Sequence, residues 1–189
     1  MIEEKHAILI PDRVYHVYNR AHGDELMFRQ VRNYNYFLTQ YRKRISPYVH
    51  TLAYCLLPNH FHLLIKVKGQ EEIEFHRDKE VEDVHEFISL QFRNFFVSYT
   101  KSYNLIFKRK GGLFMHRFKR KEVSGDLHLI TVLSYIHNNP LNHGLVKEIH
   151  DHRFSSFHDY ESDGSTWINR ALIESKFAPE IIRQMQGTK

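Results

Sequence analysis

The sequence predicts an α+β fold in which an antiparallel sheet is backed by helices. Short runs of aromatic and β-branched residues alternate with longer segments whose apolar residues recur every three or four positions. Two of the strand-like runs are separated only by Pro58 and Asn59, a connection short enough to demand an antiparallel hairpin. The chain of 189 residues, 42% hydrophobic and 14% aromatic, is long enough to bury one core without disulfides.

The elements follow in order. Val14 to Asn19 (VYHVYN) reads as a strand, closed by a turn at His22-Gly23-Asp24. Phe28 to Ile45 places Val31, Tyr34, Phe37, Leu38 and Tyr41 on one helical stripe, and Ser46-Pro47 ends it. Val49 to Leu57 and His60 to Lys68 form the hairpin. An acidic segment, Glu71 to Glu86, leads into a long helix over about 82–107, with Phe87, Ile88, Phe92, Phe95, Phe96 and Tyr99 on its apolar face and Gly111-Gly112 after its end. Leu113 to Val123 reads as a fourth strand, with Phe114 and Phe118 pointing to the core. Ser124 and Asp126 offer caps for a helix carrying Leu127, Ile130, Leu133 and Ile136, which Pro140 should stop. The order strand, helix, strand, strand, helix, strand is that of ferredoxin-like β-α-β-β-α-β folds with helices on one face. A last helical pattern near 169–186 follows a turn at Ser162-Asp163-Gly164-Ser165, so residues 161–189 are expected to form a helical extension packed on a domain spanning 1–160.

Lysine and arginine outnumber aspartate and glutamate by 27 to 22, and the bases gather in Lys108 to Lys121 (KRKGGLFMHRFKRK). Such a run suits a phosphate track, and equally a solvated surface. A single cysteine, Cys55, sits in an apolar run, so no disulfide framework exists and a reducing compartment fits. The opening MIEEKHAILIPDR has acids where a signal peptide carries bases, and no apolar run approaches the ~20 residues of a membrane span. A cytoplasmic protein without a membrane partner is therefore expected. No GxxxxGK[ST] loop occurs, so no nucleotide cofactor is expected.

The sharpest local feature is Pro58-Asn59-His60-Phe61-His62. Alternation along a strand puts His60 and His62 on one face and Phe61, Leu63, Ile65 and Val67 on the other, which belongs in the core. Two imidazoles so placed can hold one metal ion, imidazole suiting Zn, Mn, Fe or Ni at least as well as Mg, or can be merely half-exposed histidines of a sheet. A second feature is Ser134-Tyr135-Ile136-His137-Asn138-Asn139-Pro140. On a helix Tyr135 and Asn139 stand one turn apart on one face, although Asn139 precedes a proline and its direction is not fixed by helix geometry. A core tyrosine near a helix end is the simpler alternative.

Together the two segments resemble a family. PNHFHLLIKV is similar to the metal-binding strand of the HUH (His-hydrophobic-His) single-tyrosine transposases, and SYIHNNPLNHGLV to the nucleophile helix of their REP-associated branch. VYHVYNR, GLFMHRFK and DHRFSSFHDY resemble further segments in the same order, so the likeness runs from about Arg13 to Tyr160. The resemblance implies His60 and His62 as metal ligands, Tyr135 as nucleophile, and Asn139 at the position of a further polar ligand, where some members carry glutamine. It implies a divalent metal ion, Mg or Mn, and DNA as partner, single-stranded and hairpin-bearing, at the nucleoid. The reaction implied is DNA cleavage and rejoining through a 5′-phosphotyrosine, with Arg109, Lys110, Arg117, Lys119, Arg120 and Lys121 as candidate phosphate contacts. Members act as monomers or as homodimers that exchange the tyrosine helix. Two other readings share these residues: a domesticated hairpin-DNA-binding protein that no longer cuts, and a hydrolytic metal nuclease in which water attacks.

Overall fold

The computed structural model describes residues 6–115, 117–162 and 164–187. Four strands, β1 (Val14–Arg20), β2 (Val49–Leu57), β3 (His60–Val67) and β4 (Lys119–Val123), form one antiparallel sheet in the order β2-β3-β1-β4. With helix α1 (Val31–Arg44) between β1 and β2, and α2 (Gln70–Arg77) and α3 (Val84–Phe107) between β3 and β4, this is the ferredoxin-like arrangement the element order predicts.

Helices α1 and α3 cover one sheet face. Tyr15 and Val17 of β1 and Phe61, Leu63, Ile65 and Val67 of β3 meet Phe37, Tyr41, Phe92, Phe95 and Tyr99 there, all of them buried. Rings interlock, with Phe37 5.3 Å from Phe61 and 4.8 Å from Phe95. The buried phenols keep partners: Tyr41 bonds Thr51 Oγ1 at 2.8 Å and Tyr99 donates to the Met27 carbonyl at 2.8 Å. Phe118 is buried in this core and Phe114, partly buried, packs against it, in keeping with their assignment to the core.

The other face is covered too. Helix α4 (Asp126–Asn142) lays Leu129, Ile130, Leu133 and Ile136 on Ala53, Cys55 and Leu57 of β2 and Leu64 of β3. Short helices α5 (Phe157–Glu161), α6 (Ala171–Glu174) and α7 (Pro179–Gly187) follow, and Ile173 of α6 and Ile182 of α7 extend this second core. Cys55 lies inside it as a free thiol whose pKa burial pushes up. None of the described helices is long and apolar enough to cross a membrane.

Several boundaries depart from the sequence reading. The acidic segment forms its own helix, α2, because Ile73 supplies one buried anchor. The fourth strand is shorter than 113–123: β4 begins at Lys119, and Leu113 to Phe118 form an irregular segment in which residue 116 lies outside the described residues. Pro140 does not stop α4, which runs through it to Asn142. A proline this close to a C-terminus removes only its own N–H, and the last turn closes beyond it with His143 N donating to Asn139 O and Leu145 N to Pro140 O. Neither Ser124 nor Asp126 caps α4; its N-cap is Gly125, at φ +78°, and Asp126 instead pairs with Lys176 at 2.9 Å. Leu127, assigned to the apolar face, is 80% exposed, and Val31 of α1 is 51% exposed. The pattern over 169–186 breaks into α6 and α7 because Pro179 disfavours helical angles at Ala178. The turn expected at 162–165 includes residue 163, which lies outside the described residues.

Candidate functional site

The sheet register assembles the site. In β1 and β3, Tyr18 pairs with His62 and Arg20 with His60, so His16, Tyr18, Arg20, His60 and His62 all rise from the face that α4 covers. Helix α4 crosses that face and brings Tyr135 down beside them. Its ring centroid is 5.4 Å from that of His62 and 5.8 Å from that of His16, within one chain, and the side chain is 45% exposed. His60 and His62 lie 5.2 Å apart edge to face, and His143, at the end of α4, stands 4.9 Å from His60.

A small cavity of about 260 Å³ opens among Tyr18, Arg20, His60, His62, Lys119 and Tyr135. Arg20 and Lys119 make it cationic, Lys119 lying over the Tyr18 ring at 5.8 Å, and no carboxylate of the described residues lines it.

The histidines are held neutral. Burial lowers the pKa of His62 well below the ordinary value, with the neighbouring His16, His60 and His143 acting in the same direction. Burial, then His143, lowers His60 to about 4, against a smaller raising effect of the Asn139 amide. His60 Nδ1 lies 2.7 Å from Asn59 Oδ1, which can only accept, so Nδ1 carries the proton and the Nε2 lone pair is free. His62 Nδ1 lies 2.8 Å from Nε2 of the buried His16.

Asn139 keeps its helical place despite the following proline. Its Nδ2 donates to the Tyr135 carbonyl at 3.0 Å, while its buried Oδ1 has no hydrogen-bond partner among the described residues. An orphaned buried carbonyl oxygen is costly, on the order of 1–3 kcal/mol, and with His60 as its neighbour it could join the imidazoles of His60 and His62 as an oxygen donor to a divalent cation. Among the described residues no three His, Cys, Asp or Glu side chains are disposed to hold a metal.

The pose of α4 is fixed from the far side of β2. His137, fully buried, bonds Ser156 Oγ through Nε2 at 2.8 Å, and Ser156 Oγ also accepts from Tyr54 N at 2.8 Å. Leu56 N donates to Phe154 O and Ser156 N to Tyr54 O, so the 154–156 segment runs along the sheet edge and ties the tyrosine helix to it.

The six candidate phosphate contacts scatter. Lys119 borders the site, and Lys121, opposite His16 in the β1–β4 register, shares its sheet face. Arg120 points the other way, donating to Ala7 O and stacking on Phe118 at 4.9 Å. Arg109 is bound to Glu25 at 2.7 Å, to Asn104 and to the Gly112 carbonyl, an anchor of its loop. Lys110 and Arg117 are exposed. His16, Tyr18, Arg20 and His143 were not singled out in the sequence; alternation along VYHVYNR groups the first three, but the register that joins them to His60 and His62 is not written in either segment.

Fold and site together give a ferredoxin-like sheet bearing a His-x-His pair, overlaid by a helix that brings a tyrosine beside it. The comparisons return proteins named for the family that the motifs resemble. The chain is 28% identical over 127 residues to a REP-associated tyrosine transposase of Haemophilus influenzae, a match covering 66% of this chain and 68% of that protein. Its fold is similar to the solved structure of a REP-associated tyrosine transposase bound to a REP hairpin, with a TM-score of 0.64 and 19% identity over 86% of this chain and 87% of the other. No family model matches the chain.

Proposed function

We propose that this chain is a DNA nickase and strand transferase that acts on single-stranded, hairpin-bearing DNA and forms a 5′-phosphotyrosine at Tyr135. The carrying observation is the meeting of Tyr135 and His62, ring centroids 5.4 Å apart in one chain, at the edge of a cationic cavity. The hairpin in the relative of similar fold supports DNA as the partner.

The phenol oxygen of Tyr135 bonds to phosphorus, the bond from phosphorus to the 3′-oxygen breaks, and the phenolic proton ends on the released 3′-hydroxyl. Arg20 and Lys119 hold the phosphodiester and offset charge on its oxygens. A divalent ion, Mg or Mn, held by His60, His62 and the Asn139 carbonyl, would supply Lewis-acid activation of the phosphate. A free phenol has a pKa near 10, so Tyr135 is a weak nucleophile until its target is activated. Bond energy kept in the covalent link lets a second 3′-hydroxyl displace Tyr135 without a nucleotide cofactor.

The test is a covalent trap. Incubation with hairpin-bearing single-stranded DNA and Mn should give an adduct that survives denaturation and that Tyr135→Phe eliminates. Cutting without an adduct is the outcome for a hydrolytic nuclease, and binding without either is the outcome for a domesticated hairpin binder.

A further inference from the structure

A second cavity, larger than the one at Tyr135, lies outside this site. It measures about 660 Å³ and opens between α3 and the irregular segment before β4. One stripe of α3 forms a wall: Ser89, Arg93, Val97 and Lys101, spaced four residues apart and so stacked on a single helix face. Phe96, Phe114 and Phe118 supply apolar backing, and no carboxylate of the described residues lines the space.

Arg93, Lys101 and Arg117 bring positive charge with no ion-pair partner among the described residues. The buried Ser89 hydroxyl likewise has no hydrogen-bond partner there. Val97, 47% exposed, leaves an apolar patch between the two α3 cations. Cations around an aromatic-backed apolar patch match a nucleotide, which carries an anionic phosphate and a flat base. A paired base would be stacked inside a duplex and could not enter.

The cavity adjoins the candidate active site. Asn19 and Met115 line both, and Asn19 Nδ2 donates to the Met115 carbonyl at 3.3 Å, forming the ridge between them. We infer that this cavity binds one unpaired nucleotide of the strand whose phosphodiester lies at Tyr135, with its base against Val97 and the aromatic wall and its phosphate at Arg93 or Lys101. This deepens the proposed DNA function and rests on it. The strand thus crosses the Met115 ridge, and the base in the cavity sets which phosphodiester meets the phenol.

The experiment uses the Tyr135→Phe chain, so that binding is read without cleavage. Hairpin DNA with an unpaired extension on either side is titrated by fluorescence anisotropy, with an abasic site moved along the extension. One position should lose about ten-fold in affinity, the size of a single base contact. Val97→Trp, which fills the cavity from an exposed position, should weaken the extended DNA about as much, remove the dependence on that position, and leave a hairpin without extension bound as before. Arg93→Glu should weaken the extended DNA in the same selective way. A flat abasic scan, or a position dependence that persists in Val97→Trp, overturns the inference while leaving hairpin binding intact. Absence of any DNA binding overturns the proposed function and this inference with it.

Discussion

Tyr135 shares its cavity with two imidazoles, His60 and His62, each of which has a hydrogen-bonding neighbour. Asn59 fixes His60; for His62 the neighbour is His16, 2.8 Å away and almost without solvent contact. If His62 donates its Nδ1 proton to His16, both site histidines present Nε2 as the free donor, the usual arrangement behind a metal ligand. His16→Ala should therefore weaken Mn binding by about 10–100-fold in calorimetric titration, the scale of an outer-shell partner. His16→Gln, whose amide oxygen also accepts, should recover much of that loss. Equal affinity in all three proteins would show that His16 only fills space. At this scale the sequence was informative about His60, His62 and Tyr135, because alternation and helical spacing are local. It was silent about His16, Tyr18 and Arg20, whose importance comes from neighbours on another strand 40 to 46 positions away (Arg20 to His60, His16 to His62).

Helix α4 is the element on which the site depends, since it must lie on β2 and β3 in one pose for Tyr135 to reach His62. Leu133 and Leu127 both fell on its anticipated apolar face, yet Leu133 is fully buried and Leu127 is 80% exposed. Leu133→Ala should cost about 2–5 kcal/mol in denaturant unfolding, as a buried leucine does, whereas Leu127→Ala should change stability by no more than about 0.5 kcal/mol. Equal effects would mean that α4 sits rotated from the pose described. The existence of this helix was legible from its periodicity, and its end was not. Proline was read as a stop, but near a C-terminus its missing N–H costs one bond that the next turns absorb. The shortened β4 has a comparable cause: the alternation of Leu113 to Phe118 suits a strand, but only Lys119 onward finds a regular partner in β1.

For the whole molecule, the two-faced sheet buries histidines that must stay neutral. Burial lowers His16 and His60 to about 4 and His137 to about 3, from an ordinary value of 6.5. A depressed folded-state pKa on a base means that the unfolded chain takes up protons first as pH falls. Stability should thus decline from about pH 6.5 toward pH 4 and level off below the folded-state values, each unit of difference being worth about 1.4 kcal/mol per group. Thermal melts of the metal-free protein between pH 7 and 4 check this, and an unchanged Tm across that window would contradict it. The ferredoxin-like order was legible because each element is locally patterned, whereas the covering of the second face followed from where α4, α6 and α7 dock, which no single segment encodes. The central claim is that the phenol and both imidazoles act together from one chain, and a mixing experiment tests it most directly. Wild type, Tyr135→Phe, His62→Ala and an equimolar mixture of the two variants are each incubated with hairpin-bearing DNA and Mn. The account predicts a denaturation-resistant DNA adduct on wild type alone; an adduct restored in the mixture, or none on wild type, would contradict it.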